Sequence, residues 1–190
     1  GSQPAPGKVN VSLNSKTFVT FSEALQNVAS NLANVKLYKV TNANTASESK
    51  AEVSGVTNSL DSSNKILILA PGSNLVQSSY YRVEVLGGLT SGKGITIGNP
   101  GTSGYATNAM YKSDFQTGTG TDSTAPTVAG TIPAASATGV STIKPIVISF
   151  SEAMDPSTIT ENSVSLKLGS TAVAGNLTYD SNSRTATFVP

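Results

Sequence analysis

Two stretches of this chain nearly coincide: "FVTFSEAL" at 18–25 and "IVISFSEAM" at 146–154. Each carries Phe-Ser-Glu-Ala directly after an alternating apolar run, and that duplication decides the fold. Superposing Phe21 on Phe150, a shift of 129 positions, also brings Val35 and Leu37 onto Val164 and Leu166 without a gap. Further on, "LDSSNKILILAP" (60–71) matches "YDSNSRTATFVP" (179–190) at a shift of 119, pairing Asp61 with Asp180, Leu69 with Phe188 and Pro71 with Pro190. The two shifts differ by ten residues, an insertion in the first copy within the polar "TNANTASESK" (41–50). An insertion of that composition is expected in a surface loop. A repeat found this way sets the architecture before any single element is assigned.

The repeated segments read as strands. "KVNVSL", "TFVTF", "VKLYKV", "ILIL" and "YYRVEV" alternate β-branched or aromatic residues over short lengths bounded by turn residues. In "IVISF", Ile146, Ile148 and Phe150 share one face of a pleat. No helical apolar period persists for three turns; "MDPSTI" suits a single turn, with Asp155 as N-cap and Pro156 at the first helical position. Short strands at this spacing predict an all-β chain built as tandem antiparallel β-sandwiches. The Gly/Thr-rich "GTGTDSTAPTV" (118–128) marks the boundary, giving a first sandwich over 1–120 and a second over 121–190. Phe21, Phe150, Val35, Val164, Leu37 and Leu166 are the expected core positions.

Composition narrows the chemistry. The 190 residues carry a net charge of +1 with only 12% charged residues, no electrostatic footprint for nucleic acid or an anionic membrane. The chain has no His, Cys or Trp, which excludes Ser-His-Asp triads, Cys nucleophiles, Cys/His zinc sites and disulfides. No apolar run approaches the roughly 18 residues that span a bilayer as a helix. "GGLTSGKG" (87–94) satisfies G-x-x-x-x-G-K, but Gly94 stands where a phosphate-binding loop needs Ser or Thr, and "ITIGNPG" follows instead of a helix. A Gly-rich hairpin loop is the better reading. The eleven acids lie mostly in turns, no S-x-x-K stands on a helix, and catalysis is not expected.

The second copy carries a resemblance. "DSTAPTVAGTIPAASATGVSTIKPIVISFSEAMDPSTIT" (122–160), followed by "LTYDSNSRTATFVP" (177–190), resembles the bacterial immunoglobulin-like repeat of S-layer and other surface proteins. The resemblance implies immunoglobulin-like sandwiches in tandem on an exported, extracellular or cell-surface protein, with neighbouring domains of the same or an identical chain as partners. The first copy departs from the pattern by lacking the Ala-Pro-Thr-Val opening. The second lacks counterparts of "SSYYRVEVLGGL" and "AMYKSDFQTG", so its last two strands are not found in 121–190. Two readings of that shortfall stay open: a native chain that continues past Pro190, or strands supplied by a neighbouring molecule to give a strand-exchanged oligomer.

Functional candidates are few. A structural spacer needs none; an adhesin or carbohydrate-binding module would act through the irregular 91–112 segment, where Tyr105, Asn108 and Tyr111 are the candidate ligand contacts. Tyr80 and Tyr81, being adjacent, point to opposite faces, so at least one belongs to the core. Calcium is the one cofactor the sequence admits, because tandem modules of this kind can be stiffened by a shared ion with six to eight oxygens. Asp122 in the linker, Glu152 and Asp155 are its candidate ligands. Glu23 and Glu152, where the repeated strand leaves its sheet, are otherwise expected to cap the turn that follows.

Overall fold

The alternating runs do form strands, and their pairing places them in two compact units, Gly1–Ser123 and Thr124–Pro190. The computed structural model describes residues 1–98 and 108–190.

Unit 1 is a two-sheet sandwich. One sheet has the order β1–β3–β7–β6, from β1 (Ser2–Gln3), β3 (Thr17–Thr20), β7 (Ile66–Pro71) and β6 (Val56–Leu60). The other has the order β2–β9–β8–β4–β5, from β2 (Lys8–Val11), β9 (Ala109–Thr117), β8 (Tyr80–Leu86), β4 (Val35–Thr41) and β5 (Ser49–Glu52). All pairs are antiparallel except β2 with β9, which run parallel. The chain therefore crosses from one sheet to the other between β1 and β2, and the strand order is that of an immunoglobulin-like sandwich. A four-residue helix α1 (Ala29–Leu32) precedes β4.

Alternation fills the space between the sheets. Val19, Leu67 and Leu69 face across to Val35, Leu37, Tyr81, Val83, Val85 and Phe115, all 3% exposed or less and in one cluster. Tyr81 and Phe115 stack with centroids 5.7 Å apart. The Tyr81 hydroxyl accepts the Val76 N–H at 2.8 Å, which satisfies the polar end of a buried ring. Tyr80 points out to solvent, as adjacency requires.

The polar insertion at 41–50 is only partly a loop. Its last residues enter β5, which pairs with β4 from Tyr38↔Glu52 to Thr41↔Ser49. "SKAE" has no apolar alternation because every residue of β5 is exposed. It is a strand through its hydrogen bonds, not through burial.

Unit 2 repeats one sheet of unit 1. β10 (Val128–Ile132), β11 (Ile146–Phe150), β15 (Thr185–Val189) and β14 (Asn176–Asp180) stand in the order β10–β11–β15–β14. The registers coincide under the two sequence shifts: Val19↔Leu67 becomes Ile148↔Ala186, and Ser2↔Val19 becomes Thr131↔Ile148. Left-handed backbone recurs as well, at Gly7 and Ser136 and at Asn10 and Gly139. The remaining strands, β12 (Lys167–Leu168) and β13 (Thr171–Ala172), form a two-rung hairpin. A short 3-10 turn at Pro156–Thr158 is capped by Asp155, whose carboxylate accepts the Ser157 N–H at 3.0 Å.

The expected core positions divide by unit. Val35 and Leu37 are buried at 1%, but Val164 and Leu166 are only half-buried, as are Phe21 and Phe150. In unit 1, β4 is held between β5 and β8. The same segment in unit 2 pairs only with β13, so it shortens and its apolar residues stay partly wet.

This asymmetry has a measurable consequence. Leu37→Ala should cost about 2–5 kcal/mol, the range for a fully buried leucine, while Leu166→Ala at the equivalent position should cost under ~1.5 kcal/mol. Urea titrations that follow each unit separately check it; equal losses would contradict the burial difference.

Candidate functional site

The densest cluster of ionisable groups lies on the outer face of the five-stranded sheet. Along β8 the inward residues are Tyr81, Val83 and Val85, so Arg82 and Glu84 point outward. Both are nevertheless buried, Glu84 to 1% exposure, because neighbouring strands and the insertion cover them. Arg82 lies opposite Asp114 of β9 in the register, and its Nε donates to Asp114 Oδ1 at 2.6 Å and its Nη2 to Oδ2 at 2.7 Å. The other side of the guanidinium meets Glu48, delivered by the insertion, with Nη1 to Oε1 at 2.5 Å. Lys50 of β5 reaches Glu84 at 2.5 Å and lies 4.3 Å from the centre of the Tyr38 ring. Lys36 pairs with Glu52 at 2.7 Å.

The Arg82 and Lys36 contacts carry an electrostatic signature. Hydrogen bonds donated to Asp114 and then Glu48 push the Arg82 guanidinium above its ordinary value. The Arg82 hydrogen bond, then the Asn44 N–H, hold the Glu48 carboxyl below the usual glutamate range. The Glu52 hydrogen bond raises Lys36. Glu84 Oε1 is buried without a hydrogen-bond partner, the one unmet valence in the cluster. Four acids and three bases here pair with one another and leave one net negative charge, and the Lys36–Glu52 pair also lines a recess of about 630 Å3 beside α1 and β6.

The irregular 91–112 segment is described in part. Ser91 to Ile95 closes a tight hairpin, with Ser91 N–H donating to Ile95 O at 2.8 Å and Gly94 at φ +80°. The Gly-rich stretch is thus a hairpin loop, as its sequence indicates, and Leu89 beneath it is 2% exposed. Asn31 of α1 anchors the loop, donating to Thr90 O at 2.8 Å and accepting the Thr90 N–H at 2.7 Å. A small apolar recess of about 210 Å3 opens between Phe21, Leu25, Leu89, Ile95 and Ile97. Tyr111 faces inward, packs on the core and donates its hydroxyl to Ser2 Oγ at 3.0 Å. Asn108 is exposed, and its carbonyl accepts the Gly87 N–H. Tyr105 lies outside the described residues. The structure therefore does not gather Asn108 and Tyr111 into a shared aromatic surface.

The calcium candidates divide between the two units. Asp122 belongs to unit 1, where Asn14 clamps its backbone, Nδ2 to O at 2.8 Å and Oδ1 from N–H at 3.0 Å. Asp155 is a helix cap, accepting from the Ser157 N–H and hydroxyl. Among the described residues no group of three or more acidic side chains comes together at a metal-binding spacing. Glu23 does not cap the adjacent turn but meets Lys93 of the Gly-rich loop at 3.3 Å. Its counterpart Glu152 has Oε1 buried with no hydrogen-bond partner.

What sequence reading missed is the charge lattice. The signal available was the alternation Arg82–Glu84 inside an otherwise apolar β8, together with Glu48, Lys50 and Glu52 spaced two apart at and just past the end of the insertion.

Comparison with known families matches the bacterial Ig-like domain model over residues 1–117 and again over 122–190. The chain belongs to that family, as two successive copies. Comparison with curated proteins finds no match. Among solved structures, selenomethionine PcoC, a copper resistance protein from Escherichia coli, is similar at 17% identity and a TM-score of 0.42, over 62% of this chain and 95% of that one. A likeness of that size carries no argument about ligands.

Two predictions follow from the lattice. Arg82→Ala should destabilise unit 1 by roughly 1–3 kcal/mol, a range lowered for the partial exposure of its partners; a change within ~0.3 kcal/mol in chemical denaturation would show the pairs to be idle. Because the folded-state pKa of Glu48 is depressed, its contribution is present above the ordinary glutamate value and is lost as pH falls through the folded value. Melting temperature should thus drop on acidification below the ordinary glutamate range, less steeply in Glu48→Gln; parallel profiles would contradict this.

Proposed function

We propose that this chain is a non-catalytic spacer or building module of an exported bacterial surface protein, of the S-layer or multidomain surface type, working outside the cell. The observation that supports it best is the charge lattice on unit 1. Its chemistry-bearing side chains are spent on one another, Arg82 on Asp114 and Glu48 and Lys50 on Glu84. Two successive family copies support it too, since repetition of one module is a usual way to build a spacer. The fold itself is neutral on function; the argument rests on how its residues are used. Calcium is not needed for this role, and chelator should leave the melting temperature within about 1 °C of that with millimolar calcium.

The test is replacement. In the producing cell, residues 1–190 are exchanged for two unrelated sandwich domains of similar length, and display and adhesion of the parent protein are measured. A spacer tolerates the exchange. Loss of adhesion with display intact would instead assign binding to this chain, with the recess beside Ile95 and Ile97 as the first place to look.

A further inference from the structure

β6 is the last strand of its sheet, so its backbone meets β7 on one side only. The register shows which groups are left over. Asp61 N–H donates to Ile66 O at 3.0 Å and Gly72 N–H to Gly55 O at 3.0 Å, with Thr57↔Ala70 and Ser59↔Ile68 between them. Hydrogen-bonded pairs alternate along an antiparallel ladder, so Thr57 and Ser59 bond to β7 while Val56, Asn58 and Leu60 turn their N–H and C=O outward. Among the described residues no hydrogen bond engages these outward backbone groups.

The space beside that edge is open. The recess of about 630 Å3 has Val56, Thr57 and Asn58 on one wall and Leu32, Val35 and Val53 on the others. Val53, Val56 and Leu60 are only partly buried against the core, so apolar surface remains to be covered there. The edge is also held in place before any partner arrives. Asn58 Nδ2 donates to Leu32 O and to Val35 O at 2.8 Å each, tying β6 to the end of α1 and the start of β4.

Proteins blunt such edges with charge, proline, a bulge or brevity. The other sandwich edges follow that rule. β1 is two residues long and runs into Pro4, and β2 has an irregular register with β9. β5 carries Lys50 and Glu52, β10 has a register shift between Val128 and Gly130 and runs into Pro133, and β14 carries Asp180. β6, Val-Thr-Asn-Ser-Leu, is five residues long with no charge, no proline and an unbroken register.

We infer that β6 is a docking site for β6 of a second copy of this chain, the two strands running antiparallel about a two-fold axis at Asn58. The sequence is self-complementary in that register. Val56 falls opposite Leu60 of the second copy, and Leu60 opposite its Val56, both on the inward face, where they extend the core past Leu32 and Val53. Thr57 falls opposite Ser59 on the outward face, a hydroxyl pair of the kind that stabilises neighbouring strands. Asp61, the first charge beyond the strand, meets Gly55 and no like charge. Rungs at Val56, Asn58 and Leu60 use the outward backbone groups and join two four-stranded sheets into one. The contact is isologous, so it closes at a dimer. It does not rest on the spacer reading, since two adhesins would be joined in the same way.

The test uses the full 190-residue protein. In sedimentation velocity between about 1 μM and 1 mM its mass should rise toward twice 19.3 kDa. Amide exchange at Val56, Asn58 and Leu60 should slow at least about ten-fold at the high concentration, while Thr57 and Ser59, already bonded to β7, change little. Val56→Pro removes one outward N–H without touching the β7 ladder and should weaken association at least about ten-fold. Thr57→Lys combined with Ser59→Lys sets like charges directly opposite across the axis and should leave a monomer. Equimolar mixing of that double variant with Thr57→Glu combined with Ser59→Glu should restore the dimer as a one-to-one pair. Both positions are exposed, so this exchange keeps the test valid should Val56→Pro disturb the sheet. A protein monomeric throughout the range overturns the inference, and so does a dimer that the paired lysines leave intact.

Discussion

Strand β8 serves two faces at once, and unit 1 depends on that division. Its odd-numbered residues, Tyr81, Val83 and Val85, reach the core against Val19, Leu67 and Leu69. Its even-numbered residues, Arg82 and Glu84, turn the other way and become the hub of a buried ionic lattice. The period of two allows no compromise, because a slip by one residue would drive Arg82 and Glu84 into the apolar layer and expose three hydrophobic side chains. On the outward face the Arg82–Asp114 pair ties β8 to β9, and Lys50 reaches over β4 to Glu84, so that face favours the same register as the apolar one.

The lattice also accounts for the ten-residue insertion. A four-stranded sheet ending at β4 would present an unpaired strand edge, which invites pairing with other chains. The insertion leads into β5, a fully exposed strand, and the stretch from 48 to 52 brings Glu48, Lys50 and Glu52. Those charges settle on the outward face of β8 and β4 and convert a potential association surface into a polar one. Desolvating Glu84 is costly, and Lys50 offsets only one of its oxygens, so the gain here is specificity of register more than stability.

Much of the fold was legible because it rests on local pattern. The strands β3, β4, β7, β8 and β11 were found from alternation, Asp155 and Pro156 from capping chemistry, and the tandem sandwich from the repeat. The misses share a cause: elements whose structure comes from a neighbour leave little trace in their own residues. β5 is exposed along its length and exists through β4; β2 reads as a strand, but its parallel partner, about a hundred residues away, leaves no mark in it; β12 is short because no β8 counterpart flanks it. Val164 and Leu166 read as core from the aligned copy, and they are half-buried for the same reason. Of the candidate site residues, Tyr111 was singled out for being aromatic in an irregular stretch. Its neighbour-dependent role, a hydroxyl held by Ser2 over a hundred residues earlier, has no local signature.

Comparing two copies of one repeat turns this weakness into a measurement. Sequence similarity between copies says which positions ought to behave alike, and structure says which do. Where Val11 and Val140, Leu37 and Leu166, or Glu23 and Glu152 differ in burial or partner, the residues themselves are nearly the same, so the cause must be what surrounds them. Every such difference lies along the surface that β8, β9 and their loop cover in unit 1. The sheet β10–β11–β15–β14 nevertheless keeps the register and the left-handed turns of its counterpart. Its pairing is thus set by its own strands, while the state of the residues above it is set by whether an opposing pair of strands is there to meet them.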